Sequence, residues 1–112
     1  MKEETEFGNF SKLDIRVGEI NKVKKFVEAR DDAYKLWVDF GSELGIKKSS
    51  AQITELYQID ELRGKQVLAV VNFPPKQIAD FMSEVLVLGV YTKSGVVLVG
   101  PEQEVKKGAK LG

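Results

Sequence analysis

The chain has 112 residues, 43% hydrophobic and 30% charged, with 17 Lys+Arg against 17 Asp+Glu. That length accommodates one domain, and the zero net charge argues against a generic polyanion binder, which carries a basic excess. With no cysteine and no histidine, disulfides, thiol nucleophiles, Cys or His metal sites and imidazole-based triads are excluded.

Residues 1–10 carry Glu3, Glu4 and Glu6 and no apolar run, so they do not read as a secretory signal. The longest apolar run, Val85 to Tyr91, falls far short of the roughly 20 residues that span a bilayer. The expectation is a soluble, cytoplasmic protein with no membrane insertion.

Leu13, Ile15 and Val17 alternate with Asp14, Arg16 and Gly18, which predicts a half-buried strand. The alternation breaks at Gly18-Glu19 and resumes out of phase at Ile20, so a bulge or sharp bend is expected at the glycine. Tyr34, Leu36, Val38 and Phe40 form a second alternating set, with Lys35, Trp37 and Asp39 facing away. Gly41-Ser42-Glu43 reads as a turn, and Ile46 to Ile53 as a weaker third strand.

Thr54 to Leu62 is the one helix candidate, with Thr54 as its cap, Gly64 beyond its end and a stripe of Leu56, Ile59 and Leu62. Gln66 to Phe73 is a nearly continuous apolar strand, stopped by Pro74-Pro75 because proline donates nothing to a ladder. Val85 to Thr92 and Val96 to Val99 flank a short Lys93-Ser94-Gly95 connection and predict a hairpin. This order predicts an all-β fold: a five-stranded oligonucleotide-binding-type barrel with a short helix between strands three and four. An SH3-like barrel and an open sheet with one helix are the alternatives.

Three segments bear on function. Lys47-Lys48-Ser49-Ser50 does not form a phosphate loop. Only three residues separate Gly41 from Gly45 and Ile46 precedes the lysine, whereas the loop needs four between its glycines and lysine directly after. The two lysines are either a solvated edge or a contact to phosphate or a polar backbone. Trp37 lies on the polar side of its strand, where an indole stacks on a base, covers an apolar side chain of a peptide, or is itself covered by a chain end or partner subunit. In Asn72-Phe73-Pro74-Pro75-Lys76 the prolines fix the loop, either to present Asn72 and Phe73 or to prevent edge pairing. Asp14, Asp39, Glu43, Glu55 and Glu84 show no spacing that fixes an acid–base pair, so no enzyme activity and no cofactor are expected.

The run Leu13-Asp14-Ile15-Arg16-Val17-Gly18-Glu19-Ile20 resembles the opening of the tRNA-binding domain family. Val38-Asp39-Phe40-Gly41 and Asn72-Phe73-Pro74-Pro75 followed by Ser83 resemble its later motifs. Glu28-Ala29-Arg30, Gly45 to Thr54, Val70 to Pro75 and Ser83 to Gly89 are similar to one branch, the CsaA-type secretion chaperones. The resemblance covers roughly residues 10 to 112.

Several positions depart from the wider family. Its Ser-x-Gly-Met is Ser83-Glu84-Val85-Leu86 here, Asp80 stands for a glycine, Lys76 lies one place early, and Ala51-Gln52 replaces Ser-Gly. The departures favour the chaperone branch over tRNA recognition.

The resemblance implies a single domain over residues 1–112 acting as a homodimer. It places the dimer contacts in extensions at residues 1–11 and 100–112, chiefly Phe7 to Ser11 and Val99 to Leu111. The implied partners are unfolded or pre-secretory polypeptides and the secretion motor protein. The alternative is a tRNA-binding module using the same barrel face. The candidate ligand-binding residues are Arg16, Trp37, Lys47, Lys48, Asn72, Phe73, Pro74, Lys76 and Ser83, with Arg16, Lys47 and the Asn72–Lys76 loop expected to converge on one face.

Overall fold

Apolar residues two apart in sequence fall on one face of a strand, and five such strands account for the central sheet. The computed structural model describes residues 1–112. A short helix α1 (Phe7–Ser11) precedes β1 (Ile15–Lys25), β2 (Tyr34–Asp39) and β3 (Ile46–Ala51). Helix α2 (Ile59–Leu62) leads to β4 (Gln66–Val70), the hairpin of β5 (Lys76–Ile78) and β6 (Phe81–Ser83), then β7 (Leu86–Val87) and the hairpin of β8 (Gly89–Thr92) and β9 (Gly95–Leu98). The main sheet is antiparallel and five-stranded in the order β3-β2-β1-β4-β7.

The sheet curls until its edges meet. Backbone amides of Glu84 and Val85 donate to the Lys48 carbonyl, the Ser50 amide donates to Ser83 Oγ, and the Lys48 amide donates to Glu84 Oε1. Two backbone and two side-chain bonds thus complete a closure that no strand pairing makes. The predicted all-β barrel with one helix between the third and fourth strands is the observed architecture. No helix is long and apolar enough to cross a membrane.

The interior holds Ile20, Val23, Leu36, Val38, Phe40, Val67 and Ala69, and Leu62 of α2 plugs one end. Each such side chain contributes on the order of 1.5–3 kcal/mol by leaving water. Only the last turn of the predicted helix forms. Residues 54–56 form a turn and the cap is Gln58, not Thr54: the Gln58 amide donates to Glu61 Oε1 and the Glu61 amide donates to the Gln58 carbonyl. The apolar run beginning at Gln66 leaves the ladder after Val70, ahead of Phe73, and the Val85–Thr92 segment breaks between Val87 and Gly89.

Two features of β1 differ from the pattern in the sequence. The bulge falls between Ile20 and Lys22, not at Gly18. Gly18 serves close packing instead: a Cβ there would lie 2.5 Å from Val38 Cγ1 and 2.7 Å from Phe40 Cε1. The inward set is therefore Arg16, Gly18 and Ile20, and Arg16 pairs with core residue Ala69. Ile15 and Val17 take the opposite face yet are also buried.

The C-terminal segment runs beside that start of β1. Gly108 donates to the Val17 carbonyl, Val17 to Ala109 and Leu111 to Ile15. Because β2 pairs with β1 only from Glu19 onward, this strap takes up edge that β2 leaves free. At the N-terminal end, α1 buries none of its residues.

Candidate functional site

The outward residues of β2 set the main candidate face. Lys35 and Trp37 alternate with core residues Leu36 and Val38, so both point away from the barrel interior. Register places Lys22 of β1 and Lys48 of β3 on either side of Trp37. Phe81, from β6, packs against this face. Its ring meets Phe26 at 5.3 Å and Trp37 at 5.9 Å, both edge to face. Phe26, Ala33 and Phe81 form a second buried cluster with Trp37 and Ile78 against it.

Lysines cover these rings. Lys22 Nζ lies 4.7 Å from the Trp37 centroid, Lys35 Nζ 4.8 Å from Phe26 and 5.3 Å from Phe81, and Lys48 Nζ 5.3 Å from Phe81. A cation over a ring face is held by the ring quadrupole, and its aliphatic stem covers apolar surface. Glu28 is the one carboxylate paired with this group, at 3.6 Å from Lys35. The face offers aromatic edges, movable cations and few acids.

Beside it the barrel seam opens into a groove of about 530 Å³ between the end of β3 and the β7–β9 segment. Ala51, Ile53, Ile78, Leu86, Val96 and Leu98 are among its walls, and Lys76 is its one charged residue. Lys76 pairs with Ser83 across the β5–β6 hairpin, and Ser83 Oγ is engaged by the Ser50 amide.

The candidates from sequence separate into groups. Trp37 and Lys48 meet on the aromatic face, and Lys76 and Ser83 adjoin the groove. Lys47 does not join Lys48: its register partner is core residue Val38, so adjacent lysines take opposite faces of β3. Asn72 is occupied in a local staple, accepting from the Asp14 amide and donating to the Lys12 carbonyl. Phe73, in the loop with Pro74, is 43% exposed.

Arg16 departs furthest from expectation. It is 6% exposed and sits at the barrel's end, where Nε and Nη2 donate to Asp14 at 2.9 and 3.2 Å and Nη1 donates to Glu43 at 3.3 Å. Arg16 is thus engaged by carboxylates at the start of β1, and Asn72 binds the amide of Asp14. The hydrogen bonds from Arg16 hold the Asp14 carboxyl below the usual range, and Asp14 raises Arg16 in turn. Asp39 is likewise lowered, first by the Gly41 amide and then by Lys107, whose ammonium it binds at 3.0 Å and raises.

Sequence reasoning missed Phe81, Phe26 and Lys22. The signal for Phe81 was a two-residue hairpin at Ala79-Asp80, where Ala79 takes a positive φ of 53°. No glycine marks that turn.

This strand order, with one helix between β3 and β4, defines an oligonucleotide-binding-type barrel. The model of the putative tRNA binding domain family matches residues 15–110, and the chain belongs to that family. It is 37% identical to the methionine–tRNA ligase of Pyrococcus horikoshii over 109 residues, which are 97% of this chain and 15% of that protein. The chain thus spans only a small part of the curated relatives it matches. Among solved structures it is similar to the CsaA chaperone protein of Picrophilus torridus, at 53% identity and TM-score 0.93, covering 97% of this chain and 100% of that one. It is similar also to chaperone CsaA of Bacillus anthracis, at 49% identity and TM-score 0.92, covering 98% and 100%.

Proposed function

We propose that the chain is a polypeptide-binding chaperone of the cytoplasm that works as a homodimer on unfolded, export-destined chains. The observation that carries this reading is the groove at the barrel seam. Its walls are mostly apolar and it holds one cation, Lys76. A nucleic-acid strand needs cations spaced along its path, whereas an unfolded polypeptide offers apolar side chains and a neutral backbone. The aromatic face supplies the continuation, with Trp37, backed by Phe81, as contact surface and lysines at its margin. The two CsaA structures support the same reading.

The dimer is assigned to the two end segments, residues 1–11 and 100–112. Phe7 and Phe10 are 77% and 40% exposed, and Val105 and Leu111 are 39% and 44% exposed. Apolar exposure of this extent marks a surface awaiting a partner. Sedimentation of the intact chain and of a chain lacking residues 1–10 tests this part: a dimer and a weakened dimer are expected, and a monomer at micromolar concentration contradicts it.

A second reading, tRNA binding on the same face, is favoured by the placing of Lys22, Lys35 and Lys48 around aromatic rings. Titration of an unfolded export precursor into the intact chain and Trp37→Ala tests the polypeptide reading, which requires a loss of affinity in the variant.

A further inference from the structure

The end of the barrel opposite Leu62 holds a different pocket, of about 270 Å³, between the turn joining β2 to β3 and the C-terminal strap. Arg16, Phe40, Ser42, Glu43, Lys106 and Lys107 are among its lining residues. Gly41 and Gly108 also line it, with φ of 89° and 87°. A Cβ on Gly41 would come within 3.0 Å of the Lys107 carbonyl oxygen, and one on Gly108 would collide with the Phe40 carbonyl. Turn and strap therefore meet main chain to main chain.

Burying a guanidinium is costly unless its donors are all engaged. Asp14 engages one edge of Arg16 through Nε and Nη2 at normal distances. The other edge, Nη1, faces the pocket, where Glu43 meets it at 3.3 Å. The two partners contrast: the Arg16 side chain is 8% exposed and that of Glu43 is 72% exposed. A solvent-exposed carboxylate at the end of a flexible side chain is a weakly held occupant. The pocket thus presents a buried cation whose second partner is replaceable.

We propose that this pocket is a carboxylate-binding site, in which Glu43 is a built-in occupant displaced by a carboxylate of a bound polypeptide. Charge selects the ligand class. Arg16, Lys106 and Lys107 are balanced by Asp14, Asp39 and Glu43 around the pocket. A carboxylate adds one negative charge at the guanidinium while the exposed Glu43 swings out to solvent, whereas a phosphate dianion adds two beside the same three acids. The planar fork of the guanidinium also suits a carboxylate. This inference rests on the polypeptide reading and deepens it, assigning acidic side chains or chain ends of clients to the barrel's end.

The test uses sodium acetate alone, so it succeeds or fails separately from client binding. Acetate is titrated into 15N-labelled intact chain, with sodium chloride at matched ionic strength as control and inorganic phosphate as a second arm. The wild type should show saturable shifts at the Gly41, Ser42 and Gly108 amides and at Arg16 Nε–H. Glu43→Gln, at an exposed position and so expected to fold, should tighten acetate binding by roughly two- to fivefold, the range that losing one exposed ion-pair competitor gives. Phosphate should bind more weakly than acetate. The proposal is overturned if these amides show no saturable shift in either protein, if Glu43→Gln does not tighten binding, or if phosphate binds more tightly than acetate.

Discussion

The rings of Trp37 and Phe81 meet edge to face at 5.9 Å, joining the second strand of the barrel to a hairpin that lies beyond the fourth. That contact anchors the hairpin over the outer face. The two residues play different parts. Phe81 is 6% exposed and belongs to the buried cluster, whereas Trp37 is half-buried at its border. Phe81→Ala should cost about 3–5 kcal/mol of stability, as large-to-small changes at buried aromatics do. Trp37→Ala should cost less stability and weaken precursor binding about tenfold, the effect of losing part of one aromatic contact. Melting temperatures and precursor titrations of both variants check this. Equal stability losses with unchanged affinity would remove Trp37 from the binding face.

Phe73→Ala asks the same question of the proline loop. Because Phe73 is exposed, the change should alter stability by less than about 1 kcal/mol. If clients run past the loop, affinity falls about tenfold. A large drop in melting temperature would show the ring to be a packing residue.

Gly18→Ala should destabilise by about 1–3 kcal/mol through overpacking, since the new methyl would press on Val38 and Phe40. Chemical denaturation measures the loss. A neutral outcome would mean that the strands part more easily than their spacing implies.

The sequence made the strands legible where apolar residues alternate cleanly, as in β2. It misled at β1, where Ile15 and Val17 alternate with a charged Arg16 that nonetheless turns inward. Asp14 and Glu43 neutralise that charge, and Glu43 lies distant in sequence, so no local pattern betrays the burial. The aromatic face was half legible. Trp37 and Lys48 stood out, but Phe81 gains its place only from hairpin β5–β6 folding back, and its turn carries no glycine. Asn72 looked like a ligand residue, but the groups it binds, at Lys12 and Asp14, come close only in the fold.

The ion pairs at the C-terminal strap predict a pH profile. Asp14 and Asp39 are lowered from an ordinary value of 3.8. Their contribution is fully present above that value and is lost as pH falls through the lowered folded values. Lys107 is raised from 10.5, so its share is present below 10.5 and lost as pH rises through the raised folded value. Stability should be flat between these limits. Asp39→Asn should lower the plateau and flatten the acid limb. Denaturation midpoints across pH check it, and an unchanged acid limb in the variant would show that Asp39 does not hold the strap.

The most direct measurement is a side-by-side titration of the intact chain with an unfolded export precursor and with tRNA at several salt concentrations. A polypeptide-binding groove with one cation predicts tighter binding to the precursor, with affinity nearly independent of salt. For tRNA it predicts weak binding with a shallow slope, because few phosphates are neutralised and each single-strand contact adds about −0.7 to the log–log slope. Tight tRNA binding with a steep slope, abolished by Lys35→Ala with Lys48→Ala, together with no detectable precursor binding, would contradict it.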